Sequence, residues 1–161
     1  MTVETTANDE LSPQRYNTWL SALDLGLIEI VRLSAKRRLS GVAPASRYEL
    51  AAGWTAEDGF IHWRYDLTAH LTDDDAADYG DVQASVLIRG EHRGQDTDAA
   101  CIERFGATSG TIMTHPYLRE VIATTALRLG FPGVMLPMIT AQPDVPQDVS
   151  PDEQRDAEAQ D

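Results

Sequence analysis

Apolar and polar residues alternate most clearly between Phe60 and Leu71. Ile61, Trp63, Tyr65, Leu67, Ala69 and Leu71 are separated by His62, Arg64, Asp66, Thr68 and His70. A period of two predicts a strand with one face on a core and the other in water. Asp81–Glu91 repeats the pattern more weakly, with Val82, Ala84, Val86 and Ile88 on one side. Leu25–Ala35 is also strand-like: the spacing puts Leu25, Leu27, Val31 and Leu33 on one face and Ile28 and Ile30 on the other. That predicts a strand covered on both sides, as at an interface. Arg47–Leu50 predicts a short strand, and Trp54–Gly59 reads as a turn or excursion carrying a large aromatic.

Helical spacing appears at the two ends of this strand region. Ser12-Pro13 supplies a cap and a first helical residue, and Tyr16, Trp19, Leu20 and Leu23 follow, predicting a helix from Pro13 to about Ala22. Thr97 or Asp98 caps a second helix from Ala99 to about Phe105, and Gly106–Gly110 reads as a break. The third helix spans Thr114–Leu129, with Tyr117, Leu118, Val121, Ile122, Thr125 and Leu129 on its apolar face. Thr114 is the expected cap, Pro116 falls in the first turn, Glu120 and Arg128 suit the two ends of the dipole, and Gly130 with Pro132 stops the helix. Successive strands without helical crossovers, then helices, define the α+β class. The expected architecture is an antiparallel sheet of about four strands with C-terminal helices on one face.

The ends differ in composition. Met1–Leu11 is polar and acidic, which predicts a flexible arm. Ala141–Asp161 holds Pro143, Pro146 and Pro151, seven acidic residues and one arginine, which predicts a disordered acidic tail. One domain over residues 12–140 is expected between them. No apolar run is long enough to cross a bilayer, and the N-terminus lacks the basic and apolar regions of a signal peptide. The single cysteine, Cys101, excludes an intrachain disulfide and fits a cytoplasmic protein. A net charge of −13 repels phosphate backbones and argues against nucleic-acid binding.

Catalytic constellations are missing from the sequence. It has no Gly-x-Gly-x-x-Gly, Walker loop or His-Glu-x-x-His. His62 and His70 share a strand face but stand about 26 Å apart at 3.3 Å per residue, too far to share a metal. Asp73–Asp75 lacks the glycine and distal glutamate of a calcium loop. No enzyme activity and no cofactor are expected.

The stretch Pro116-Tyr117-Leu118-Arg119-Glu120, followed by Phe131-Pro132 and the apolar segment Gly133–Ile139, resembles the C-terminal region of SecB-type export chaperones. The N-terminal helix leading into the first strand is similar to actinobacterial SecB-like chaperones, some of which accompany toxin–antitoxin systems. The resemblance covers roughly Leu25–Ile139. It implies an ATP-independent holdase that binds unfolded or precursor proteins in an apolar groove, assembled as a homotetramer from two dimers. Trp54, Phe60, Phe131, Val134, Met135, Leu136 and Met138 are the candidate client-binding residues, and flexible methionines suit a site that reads no particular sequence. An antitoxin or the export motor are further partners the family implies. The chain after Ile139 departs from the family's usual end, which engages that motor. The competing class is an adaptor that binds one folded partner.

Overall fold

The computed structural model describes residues 11–41, 45–73, 75 and 77–138. The segments expected to be a flexible arm and a disordered tail lie outside these residues, apart from Leu11, which packs partly buried on the core.

Helix α1 (Pro13–Ser21) begins as its sequence predicts: Ser12 Oγ accepts from the Arg15 N–H at 3.2 Å and Pro13 opens the first turn. Strand β1 (Leu23–Arg37) pairs with β4 (Asp78–His92), β4 with β3 (Phe60–Thr72), and β3 with β2 (Ala45–Glu57). All pairings are antiparallel. The four-stranded sheet and its C-terminal helical cover are the α+β arrangement expected.

Three elements differ from expectation. β2 runs thirteen residues, so Trp54 lies in a strand and the turn shrinks to Asp58-Gly59, both at positive φ (51° and 82°). An Asp-Gly pair between alternating runs favours a two-residue hairpin of this kind. β1 carries two bulges, with extra residues at Gly26–Leu27 and at Val31. Each shifts the alternation by one position, so Leu25, Ile28, Ile30 and Leu33 oppose Gly90, Ile88, Val86 and Ala84 and share the helix-bearing face. The break at Gly106–Gly110 is instead a π-helical turn joining α2 (Ala99–Phe105) to α3 (Thr111–Arg128). Because the backbone is already helical there, Thr114 caps nothing. Its hydroxyl donates to Gly110 O at 2.9 Å, and Pro116 is the sixth residue of α3.

The C-terminal stop of α3 is as expected. Gly130 adopts φ +86°, its N–H bonds Leu127 O, and the Phe131 N–H bonds Ala126 O, both at 2.9 Å. This pair of bonds is a Schellman motif. Arg37 adds a cation at that end, donating to Leu129 O at 2.9 Å.

The core lies between the sheet and the helices. Ile61, Trp63, Tyr65, Val82, Val86 and Ile88 meet Trp19, Ile102, Phe105, Leu118 and Ile122. Two buried polar atoms fix the helices to β3: Trp63 Nε1 donates to Ile102 O at 3.0 Å and Tyr65 Oη to Gly106 O at 2.8 Å. Burial pushes the Tyr65 phenol up to about 12, so it remains a donor over the whole physiological range.

Candidate functional site

The segment after α3 folds back on the body. Phe131 is 1% exposed, edge-on to Tyr79 at 6.1 Å and with the Arg37 guanidinium 5.2 Å from its ring centre. Val134 and Leu136 are also buried, whereas Met135 and Met138 are 49% and 71% exposed. The alternation is that of an extended segment seated on a surface. His115 Nε2 lies 2.9 Å from Pro137 O, and the Arg119 guanidinium contacts the sulfur atoms of Met135 and Met138.

The candidate client-binding residues therefore fall into three places. Phe131, Val134 and Leu136 enter the core, and Trp54 packs partly buried against the same core as the cross-strand partner of Trp63. Met135 and Met138 face outward beside Arg119. Phe60 is exposed on the opposite side of the sheet, because it precedes the inward Ile61 and pairs with Glu57 and Glu91. The sheet separates Phe60 from Trp54.

Two surface features were not singled out by residue type. A cleft of about 240 Å³ lies between β1 and α3, walled by Ile30 and Leu33 on one side and Tyr117, Val121 and Thr125 on the other. Its signal in the sequence was the apolar content of β1. The second is a trough of about 510 Å³ on the outer face, bordered by Ala51, Gly53, Thr55, His62, Arg64 and Leu87. Three small residues two apart on one strand leave this gap, and nothing lies within 4 Å of the point where a Cβ of Gly53 would be. Small residues at period two in a strand were the readable sign.

The polar outer face is largely neutralised within itself. Arg64 pairs with Asp66 at 3.0 Å, Arg89 with Glu29 at 2.9 Å and Arg47 with Glu49 at 2.8 Å. Burial pushes the Asp66 carboxyl up, but hydrogen bonds from Ser85 and Arg64 outweigh it and hold it below the usual carboxylate range. These exposed pairs add little stability and mainly set which charges are free for a partner. Cys101 is fully buried, and burial pushes its thiol up to about 11, which describes a packing residue and not a nucleophile. Among the described residues no three side chains gather as metal ligands, and no helix is long and apolar enough to cross a membrane.

The elements define an α+β class: a β1-β4-β3-β2 antiparallel sheet with all helices and the folded-back segment on one face. This is the fold of the SecB-like chaperones. The Rv1957 SecB-like chaperone of Mycobacterium tuberculosis, solved with a ChAD peptide from the Rv1956 HigA1 antitoxin, matches with a TM-score of 0.67 over 79% of this chain and 98% of its own, at 18% identity. A protein of unknown function from Streptococcus agalactiae matches more loosely, with a TM-score of 0.44 at 10% identity over 72% of this chain and 97% of its own. No family model matches the sequence, and no curated protein does.

Proposed function

We propose that this protein is an ATP-independent chaperone that holds unfolded segments of other proteins without turnover. The observation that carries the reading is the apolar surface left open on a SecB-like fold. Leu25, Leu27, Ile30, Val31 and Leu33 are all exposed along one edge strand, and Met135 and Met138 on the folded-back segment. Single exposed apolar residues are ordinary; a row of five on an unpaired edge calls for a partner.

In this reading the two edges have different tasks. β1 pairs with a second copy and the dimers pair again through the helical face, giving a homotetramer in the cytoplasm. β2 remains open to clients. Its Leu50–Ala56 stretch has no charge and no proline, so an extended segment can add to its backbone while apolar side chains settle beside Trp54 and in the trough at Gly53. Burial contributes about 25 cal/mol per Å² of apolar area and requires no particular sequence. The antitoxin peptide on the Mycobacterium chaperone makes an antitoxin segment the first client class to try; export precursors are the second.

Assembly is tested by light scattering at micromolar concentration. Four chain masses are expected, and a single chain mass would remove the β1 pairing. Client holding is tested on a Met135→Ser/Met138→Ser variant. Both side chains are exposed, so the unfolding free energy should stay within about 0.5 kcal/mol of the parent, while suppression of aggregation of an unfolded model protein drops severalfold. Unchanged suppression would take these methionines out of the site. Wild-type protein inactive on every unfolded client but bound to one folded protein would put the adaptor reading first.

A further inference from the structure

The N-terminal helix is held to the body by α2 and by the corner at the end of β4. Nine residues are too few for a helix to persist in water alone, so α1 depends on its contacts. Tyr16 and Trp19 are its buried side chains, and among the described residues Tyr16 Oη has no hydrogen-bond partner. The corner opposite is His92, at the end of β4, with the loop 93–98 that follows it.

His92 is 5% exposed and stacks on Trp19, with ring centres 5.3 Å apart and planes at 19°. The Asp96 backbone N–H lies 3.2 Å from Nδ1, and Nε2 lies 3.2 Å from Trp19 O. A backbone N–H can only donate, so Nδ1 is an acceptor and carries no proton. A carbonyl can only accept, so the ring proton is on Nε2. Both bonds exist together only for the neutral ring. The Trp19 indole N–H donates to Asp96 O at 3.3 Å, and the Arg93 N–H to Ala22 O at 3.0 Å. The ring is thus the centre of a closed set of bonds between α1 and the loop.

We propose that His92 makes the docking of α1 pH-dependent: protonation at Nδ1 sets two donors against each other and releases the helix. Release uncovers Trp19, Tyr16 and the surface of α2 beneath them, adding apolar area to the body. The docked state cannot take up the proton without losing a bond and the released state can, so docking weakens as pH falls.

The other charged groups of this corner do not share that behaviour. On β1, Asp24 is held below the usual carboxylate range by its bidentate bond to Arg93. For Asp98, burial pushes the carboxyl up, but Arg15 of α1 and the Cys101 N–H outweigh it and hold it low. Depressed carboxylates contribute stability that is lost only on going below their ordinary range of about 4. The Asp96 carboxylate accepts from the Asp98 N–H and not from the ring. Asp58 belongs to the hairpin whose Gly59 O accepts the His92 N–H. From α2, Arg104 lies over the Tyr16 ring at 4.6 Å and carries its charge at every pH used. Of the side-chain types at this corner, histidine alone ordinarily changes charge between about pH 5 and 8.

Hydrogen exchange of the full chain, corrected for intrinsic rates, reads this directly. From pH 7.5 to 5.0, protection of α1 should fall at least tenfold while that of α3 is unchanged, and in His92→Gln the α1 value should be flat with pH. Constant α1 protection in wild type, an equal fall in α1 and α3, or the same pH dependence in the variant would each overturn the proposal. If His92→Gln does not fold, the ring nitrogen resonances of His92 in wild type decide. A titration midpoint matching the loss of α1 protection supports the latch, and a separate midpoint overturns it.

Discussion

Replacing Gly110 with alanine is expected to destabilise the protein by about 3 kcal/mol or more. A Cβ there would stand 2.0 Å from Tyr65 Oη and 3.2 Å from its Cζ. The ring cannot swing away, because Tyr65 is 1% exposed within the core and its hydroxyl bonds Gly106 O. Relief means either lifting the π-helical turn off β3 or giving up a buried hydrogen bond, and the second alone leaves polar atoms unsatisfied. Tyr65→Phe removes the clashing oxygen, so the double variant should be more stable than the sum of the two single effects implies. Urea unfolding of the four proteins measures this. A single-variant loss below about 1 kcal/mol, or strict additivity, would show that the turn does not approach the sheet so closely.

Gly80→Ala should cost still more, about 4 kcal/mol or a failure to fold. Two penalties coincide. Gly80 has φ +145°, a conformation open almost only to glycine. Its Cβ would also fall 2.1 Å from Lys36 O, and this neighbour is backbone in the paired strand, where Arg37 opposes Gly80 and Lys36 opposes Asp81. Moving it opens the β1–β4 ladder at its end. If the variant folds, hydrogen exchange should show loss of protection in the second half of β1. Wild-type stability would mean that β1 is not held in this register.

Both glycines bear on how the site is built. Gly110 and Gly106 let the π-helical turn lie on Trp63 and Tyr65, which sets where α3 runs and how wide the cleft against Ile30 and Leu33 becomes. Gly80 lets β1 continue to Arg37, whose guanidinium reaches Leu129 O and the Phe131 ring. The folded-back segment is thus positioned partly by the far end of an edge strand.

Much of this was legible in the residues. The alternation in Phe60–Leu71 named the inward residues of β3 one by one, and Ser12-Pro13, Asp98 and Gly130 marked helix ends with local chemistry that needs no tertiary partner. The Asp58-Gly59 hairpin is equally legible, since Glu57 and Phe60 pair across a two-residue turn, and that local signal outweighs the excursion expected over Trp54–Gly59. The candidate site was less accessible. Met135 and Leu136 are adjacent and both apolar, yet one faces out and the other is buried, because a proline-punctuated segment has no period of its own and its burial follows the surface it meets.

What the sequence determined by itself is therefore local: which stretches extend, which coil, where they stop, and that the order makes an antiparallel sheet with helices on one side. Tertiary structure alone decided the rest. The two bulges of β1 exist only relative to the register of β4, and they moved Ile28 and Ile30 to the same face as Leu25 and Leu33. The π-helical turn exists because two glycines had to fit against Tyr65 and Trp63, which lie far away in sequence. Phe60 and Trp54 are separated by the sheet because facing is a parity counted across paired strands. Parity, register and close approach are relations between segments, and a single segment's residues do not contain them.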